Sequence, residues 1–275
     1  MIILIQCKDR VGLVAGISGV LAELRLNITS MREYVAVSDD RFYMRVATAT
    51  STDIEQLETA LRKVLPANAE VTIHENPQKK IVVLVTKEYH CLSDILIRNY
   101  FKTLGASVQC VIGNHDVLKD ICDRFEVPFH YISHENKTKE EFENQLTEKI
   151  KAYSFDYLML AKFMRILSPA FISNFQGSVI NIHHSFLPAF IGANPYKQAF
   201  ERGVKVIGAT AHFVTNDLDE GPIIVQQTIN VNHTHTTADM VKAGKEIETL
   251  VLATALKLVL EDRVFIYGNK TVVFE

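Results

Sequence analysis

The period of the apolar positions changes near residue 76, and the change divides the chain into two patterns. Ile2-Ile3-Leu4-Ile5 is a continuous apolar run and predicts a strand. After the polar turn Cys7-Lys8-Asp9-Arg10, residues Leu13, Ile17, Val20, Leu21 and Leu24 recur at helical spacing between Val11 and Leu26. Asn27 breaks that helix. Ile28 to Val37 and Phe42 to Ala49 read as strands joined by a Ser38-Asp39-Asp40-Arg41 turn. Ser51-Thr52-Asp53 offers a cap to a second helix reaching about Leu65, and Glu70 to His74 closes as a strand. The order is βαββαβ, the ferredoxin-like arrangement.

Asn76-Pro77-Gln78-Lys79-Lys80 is polar and carries a proline, so it predicts a linker between domains at 1–75 and 81–275. From Ile81 onward, strands and helices alternate. Ile81 to Val85, Ser107 to Ile112, Phe129 to Ile132, Tyr157 to Ala161 and Val179 to Ile182 read as strands. Helices fill the intervals at Leu92 to Leu104, Val117 to Phe125, Lys139 to Tyr153 and Ser168 to Phe175. Such alternation predicts a Rossmann-like, doubly wound, mostly parallel sheet. A short helix (Tyr196 to Glu201), strands at Ile207 to Val214 and Ile223 to Val231, a long helix (Thr237 to Leu260) and a hairpin turning at Gly268-Asn269 complete the chain. The fold class is α/β throughout, with two different sheet topologies.

Composition narrows the function. The chain has 275 residues, and 48% of them are hydrophobic, which is enough for two real cores. A net charge of −3 gives no case for nucleic acid. No apolar run has the length of a membrane span. MIILIQCKDR has no basic n-region and too short an apolar run for a signal peptide, so a cytoplasmic protein is expected. Cys7, Cys91, Cys110 and Cys122 are scattered and read as reduced thiols.

The candidate chemistry gathers at Asn181 to Phe190, NIHHSFLPAF, where the Val179-Ile180 strand ends. The carboxyl ends of strands are where open α/β sheets bind ligands. Alternation along the strand puts Asn181 and His183 on one side, an amide donor beside an imidazole, and His184 on the other. That pairing suits attack on a carbonyl: the amide stabilises an oxyanion and the imidazole moves a proton. An acid near His183 would hold one tautomer, and the loop Asn216-Asp217-Leu218-Asp219-Glu220-Gly221-Pro222 supplies candidates. Asp219, set by the Gly221-Pro222 turn, is preferred, by a slight margin over Asp217. Leu160 to Leu167 is a strand end and loop suited to gripping an aromatic ring system.

Other histidines have plainer readings. His74, His130 and His134 are read as core residues, and His184 as a structural hydrogen-bonding group. His233-Thr234-His235 offers two of the ligands a metal needs and no third. A zinc hydrolase built on His183, His184 and His233 is the minor alternative, and it predicts loss of activity on chelation. Val111 to Asp116 reads as a polar turn with Asp116 capping the next helix.

Two resemblances add to these readings. DRVGLVAGISGVLAELRLNI resembles an ACT domain, the small regulatory module that binds amino acids. An amino-acid effector, held near Asp9 to Gly12, and simple packing or dimerisation both remain open, and a homo-oligomer is the expectation. NIHHSFLPAF, then GATAHFV, then LDEGPII, resembles the folate-dependent formyltransferase group from about residue 80 to the end. HHSFLPAFIGANPY behind an ACT-like domain is close to the members that hydrolyse 10-formyltetrahydrofolate to tetrahydrofolate and formate. The resemblance implies that Asn181 binds the formyl oxygen, His183 transfers the proton, and Asp219 orients water and supports charged His183. It also implies that Met164, Arg165 and Leu167 line the pterin pocket, largely through backbone groups, and that His212 lies beneath the site. No metal and no cofactor is expected, the folate being the substrate. Members acting on glycinamide ribonucleotide carry a glycine- and serine-rich loop after the first strand of this domain to cradle a phosphate. Here that loop is Val85-Thr86-Lys87-Glu88-Tyr89-His90-Cys91-Leu92-Ser93-Asp94. It has no glycine, and Glu88 and Asp94 are expected to repel phosphate. This favours water over a phosphorylated amine as acceptor, with transfer to an amine as the alternative. A non-catalytic amino-acid sensor is a further alternative, against which the intact Asn181, His183 and Asp219 argue.

Overall fold

The computed structural model describes residues 1–75, 78–175, 177–189 and 195–275. Part of the expected linker (Asn76, Pro77) and the tail of the central motif (Phe190 to Asn194) lie outside the described residues. The chain forms two compact units. One gathers Met1–Pro77, Glu261–Phe265 and Val272–Glu275, the other Gln78–Leu260 and Ile266–Thr271.

The first unit runs β1 (Ile2–Lys8), α1 (Leu13–Glu23), β2 (Ile28–Ala36), β3 (Arg41–Thr48), α2 (Ile54–Val64) and β4 (Glu70–His74). Its antiparallel sheet has the order β2-β3-β1-β4. Ile3, Ile5, Phe42, Met44 and Val46 meet Leu13, Ile17, Leu21, Leu57 and Leu61 of the helices in one buried core. Asp53 caps α2 by accepting from the Gln56 N–H at 2.8 Å, as the Ser-Thr-Asp run predicts.

The C-terminal segment completes this unit, which corrects the expectation of an unbroken second domain from 81 to 275. Tyr43 stacks edge-on against Phe265, with ring centroids 5.6 Å apart, and Phe265 packs on Phe274. The Arg45 guanidinium donates to the Glu261 and Asp262 carbonyls, and His74 pairs with Asp262 at 2.9 Å. Sequence periodicity carries no sign of such a return, because the contacts join residues roughly two hundred positions apart.

The second unit runs β5 (Lys79–Val85), α3 (His90–Tyr100), β6 (Ala106–Gly113), α4 (Lys119–Arg124), β7 (Phe129–Tyr131), α5 (Lys139–Lys151), β8 (Tyr157–Leu160), α6 (Pro169–Ser173), β9 (Val179–His183), α7 (Pro195–Arg202), β10 (Val206–Phe213), β11 (Ile223–Asn230) and α8 (Thr237–Leu260). Lys79 and Lys80, expected in the linker, open β5, and Lys79 is buried. A two-stranded hairpin, β12 (Val264–Tyr267) with β13 (Lys270–Val273), ends the chain. The seven-stranded sheet has the order β11-β10-β9-β8-β5-β6-β7. It is parallel from β7 to β9 and antiparallel at β10 and β11. The apolar runs of β5 and β8 are buried because helices cover both faces of a parallel sheet. Asp116 does not cap α4: the residue before the helix is Leu118, and Asp116 contributes its backbone carbonyl to Lys119 instead. Among the described residues, no helix is long and apolar enough to cross a membrane.

Candidate active site

β9 and β10 lie antiparallel with Asn181 opposite His212 and His183 opposite Thr210. This register sets the site. The Asn181 amide nitrogen is 3.3 Å from His212 Nε2, while His212 Nδ1 lies 3.0 Å from the Phe213 carbonyl. Because the carbonyl can only accept, Nδ1 of His212 carries the proton and Nε2 accepts from Asn181. Burial lowers the His212 pKa, despite its bond to Phe213 and the nearby Asp219 charge, so the ring stays neutral. The Asn181 amide is thereby held with its second N–H free to donate elsewhere.

The chain leaves β9 through a turn braced by the buried Thr210 hydroxyl, which donates to the Ser185 carbonyl and accepts from Leu187 N–H. Gln226 donates to the Leu187 carbonyl from β11 at 3.0 Å.

Asp219 arrives from the acidic loop after β10. Gly221 makes the approach feasible: a Cβ there would lie 1.8 Å from the Phe213 carbonyl oxygen. The Phe213 N–H donates to the Pro222 carbonyl, so the loop folds back on β10. Asp219 itself takes a left-handed conformation, φ 58. Its Oδ1 comes within 3.3 Å of His183 Nδ1 and 3.8 Å of His212 Nε2. Burial alone would raise the Asp219 pKa, but the His183 hydrogen bond and the surrounding imidazoles outweigh it, and the net shift is downward. Asp219 therefore stays a carboxylate and holds His183 with its proton on Nδ1. The opposite nitrogen, Nε2, is buried and has no hydrogen-bond partner among the described residues.

Asn181, His183 and Asp219 line a cavity of about 480 Å³. Met164, Arg165 and Leu167 line the same cavity, beside Ile166, Ile172 and Val214. The Met164 N–H is already bonded to the Thr86 hydroxyl at 2.9 Å, so that backbone group is engaged within the protein, not free for a pterin.

His184 differs from the strand-based expectation. β9 ends at His183, so alternation stops there: His184 is among the residues lining the cavity, and its ring lies 5.1 Å from the His183 ring. Burial, with the charge of Lys162 next in weight, lowers its pKa to about 4. The electrostatic reading of the first loop also changes. Glu88 is paired with Lys245 at 2.7 Å and Asp94 with Arg98 at 2.6 Å, so neither is a bare repelling charge. α3 begins at His90, which makes the loop shorter than expected.

Of the remaining histidines, His130 bonds the Tyr153 hydroxyl and His235 bonds Asn232. Four residues that matter here escaped the sequence reading: His90, Lys162, Tyr196 and Glu248. The one signal was a carboxylate on the buried stripe of α8, between Ile247 and Val251.

Residues 1–66 match the family described as ACT domain, and residues 79–256 match that described as Formyl transferase. A formyltetrahydrofolate deformylase of Haemophilus influenzae is 48% identical over 272 residues, covering 99% of this chain and 98% of its own. The chain belongs to the formyltetrahydrofolate deformylase family. The crystal structure of the family member from Pseudomonas syringae superposes with a TM-score of 0.93 at 36% identity, over 100% of this chain and 94% of that one. A glycinamide ribonucleotide transformylase from Symbiobacterium toebii shares 29% identity and a TM-score of 0.70, over 74% of this chain and 98% of its own. The deformylase likeness thus takes in both units, while the transformylase likeness covers a smaller share of the chain.

Proposed function

We propose that the chain hydrolyses 10-formyltetrahydrofolate to tetrahydrofolate and formate. The observation that carries this is the convergence of Asn181, His183 and Asp219 on one cavity with an apolar wall. A formyl group on an aryl amine is more electrophilic than an ordinary amide carbonyl, so positioned water suffices as nucleophile. The free N–H of Asn181 donates to the formyl oxygen as it becomes an oxyanion. One such donor is worth about 3–4 kcal/mol of barrier. His183 Nε2 takes the proton from water and returns it to the folate nitrogen as the carbon–nitrogen bond breaks. Proton transfer of this kind contributes roughly two to four orders of magnitude in rate. Asp219 fixes the tautomer, stabilises the imidazolium formed in between, and orients the water. Met164, Arg165 and Leu167 hold the pterin, with Arg165 and Leu167 offering backbone groups. No metal and no cofactor is needed for these steps.

In this reading the ACT unit takes an amino-acid effector, the chain works in the cytoplasm as a homo-oligomer, and the formate released supplies purine synthesis and balances one-carbon folate pools. The test is incubation with 10-formyltetrahydrofolate in chelator and without any amine. Equimolar formate and tetrahydrofolate, lost in His183→Ala, is the expected result. Turnover that starts only when an amine is added would move the assignment to a formyltransferase.

A further inference from the structure

Behind the His183 end of the cavity lies a buried group of side chains that the hydrolytic steps leave unused. Lys162, just after β8, and Glu248, in the middle of α8, are both buried, with Nζ 3.1 Å from Oε2. His90 Nε2 lies 2.8 Å from that same oxygen. The Tyr196 hydroxyl donates to Oε1 at 2.5 Å. Both carboxylate oxygens are therefore occupied from within the protein. Burial would raise the Glu248 pKa, but the His90 bond, the Lys162 charge and the Tyr196 bond together bring it to about 2.

Three features show that the cluster is built in. Lys162 holds a left-handed backbone, φ 61, a conformation that costs a side-chain-bearing residue energy. Gly244 sits one turn before Glu248, and a Cβ there would lie 2.1 Å from the Tyr196 ring, so only glycine lets the phenol reach Glu248. The segment before His90 is tied to the same helix by Glu88 and Lys245 at 2.7 Å.

A metal site is the first alternative, since His90, Cys91 and Glu248 hold ligand atoms within 4.8 Å of one another. Lys162 already neutralises Glu248, however, and burial raises the Cys91 thiol far above its ordinary value. The Cys91 thiol therefore stays protonated and both Glu248 oxygens are already engaged, so the trio offers a cation no free anionic donor.

Of the cluster, Lys162 lines the cavity beside His183 and His184, while Glu248, Tyr196 and His90 stand behind it. We propose that this cluster selects the nucleophile: through Lys162 it closes the end of the cavity beside His183 to an amine and leaves room for water. The proposal rests on the hydrolytic reading above. An aliphatic amine arrives at neutral pH as an ammonium ion. The one buried carboxylate that would attract the newcomer is spent on Lys162, His90 and Tyr196, and the Lys162 side chain, held on that carboxylate, stays in the wall. Water is neutral and small, so neither restriction applies to it. In hydrolysis the water oxygen bonds to the formyl carbon, the carbon–nitrogen bond to folate breaks, the folate nitrogen takes a proton and formate leaves. In transfer the amine nitrogen forms the new bond, the same bond breaks, and the proton the amine loses ends on the folate nitrogen.

The test uses the full-length protein, 10-formyltetrahydrofolate and glycinamide, with formate, formylglycinamide and tetrahydrofolate quantified together. The wild type is expected to release formate alone at every glycinamide concentration. Lys162→Gly removes the charge and suits the left-handed backbone. It is expected to form formylglycinamide in proportion to glycinamide, at a ratio to formate at least about tenfold above the wild-type detection limit, with hydrolysis retained. If Lys162→Gly does not fold, the double variant Lys162→Gly with Glu248→Gln, which removes both buried charges, is read by the same criteria. A folded variant that hydrolyses normally and forms no formylglycinamide overturns the proposal. So does one that binds folate yet has lost both reactions, because Lys162 would then serve the chemistry itself. Formylglycinamide from the wild type also overturns the proposal, whereas a wild type that releases no formate without an amine overturns the hydrolytic reading.

Discussion

Glu248→Gln isolates the energetic role of the buried carboxylate. The side chain is 1% exposed and keeps its shape in the variant, so the change is one of charge. In the folded chain its pKa drops from the ordinary glutamate value of 4.5 to about 2. At about 1.4 kcal/mol per pKa unit, that difference is worth about 3 kcal/mol of stability at pH 7. Because the folded value lies below the unfolded one, the contribution is present above pH 4.5 and is lost as the pH falls from 4.5 toward 2. The general cost of leaving one member of a buried pair without its partner, roughly 3–5 kcal/mol, agrees with this figure. The expected result is a loss of about 3 kcal/mol at pH 7, shrinking to about 1 kcal/mol near pH 3, where the carboxylate of the unfolded wild-type chain is already mostly protonated. The assay is amide exchange of α8 peptides across a urea series at both pH values. At pH 7 the midpoint should fall by roughly 1 M. Equal losses at pH 7 and pH 3 would refute the reasoning, since a packing defect does not titrate. His184, with its pKa of about 4, titrates in both proteins and largely cancels in the comparison.

Three other outcomes are expected. Asp219→Asn keeps the fold but lowers kcat by roughly two to four orders of magnitude, because the amide neither fixes the His183 tautomer nor supports its charge; near-normal turnover would remove Asp219 from the mechanism. Gly221→Ala places a Cβ against the Phe213 carbonyl, 1.8 Å away in the present geometry, so the loop shifts and kcat falls while thermal stability changes less. A wild-type kcat in Gly221→Ala would show that the loop tolerates the shift. Deleting residues 1–77 alone strips Phe265, Phe274 and Asp262 of their packing partners, so that truncation should aggregate more than one lacking 261–275 as well; equal solubility by sedimentation would count against the shared unit.

Much of the architecture was legible in the residue order. The βαββαβ period, the alternation from Ile81 and the end of the β9 strand at the NIHH motif all follow from local apolar spacing, and local spacing is what sequence reports. Asn181 and His183 were legible for the same reason, since one strand carries both. Asp219 could be preferred only narrowly, because its approach to His183 depends on Gly221 passing beneath the Phe213 carbonyl. The facing of His184 depended on where β9 stops. The return of residues 261–265 and 272–275 to the first unit, and the meeting of His90, Lys162, Tyr196 and Glu248, were decided by tertiary structure alone. Those four come from separate helices and the end of a strand, and a buried charge is tolerable only where the fold delivers its partners. No stretch of sequence shorter than the whole second unit contains that information.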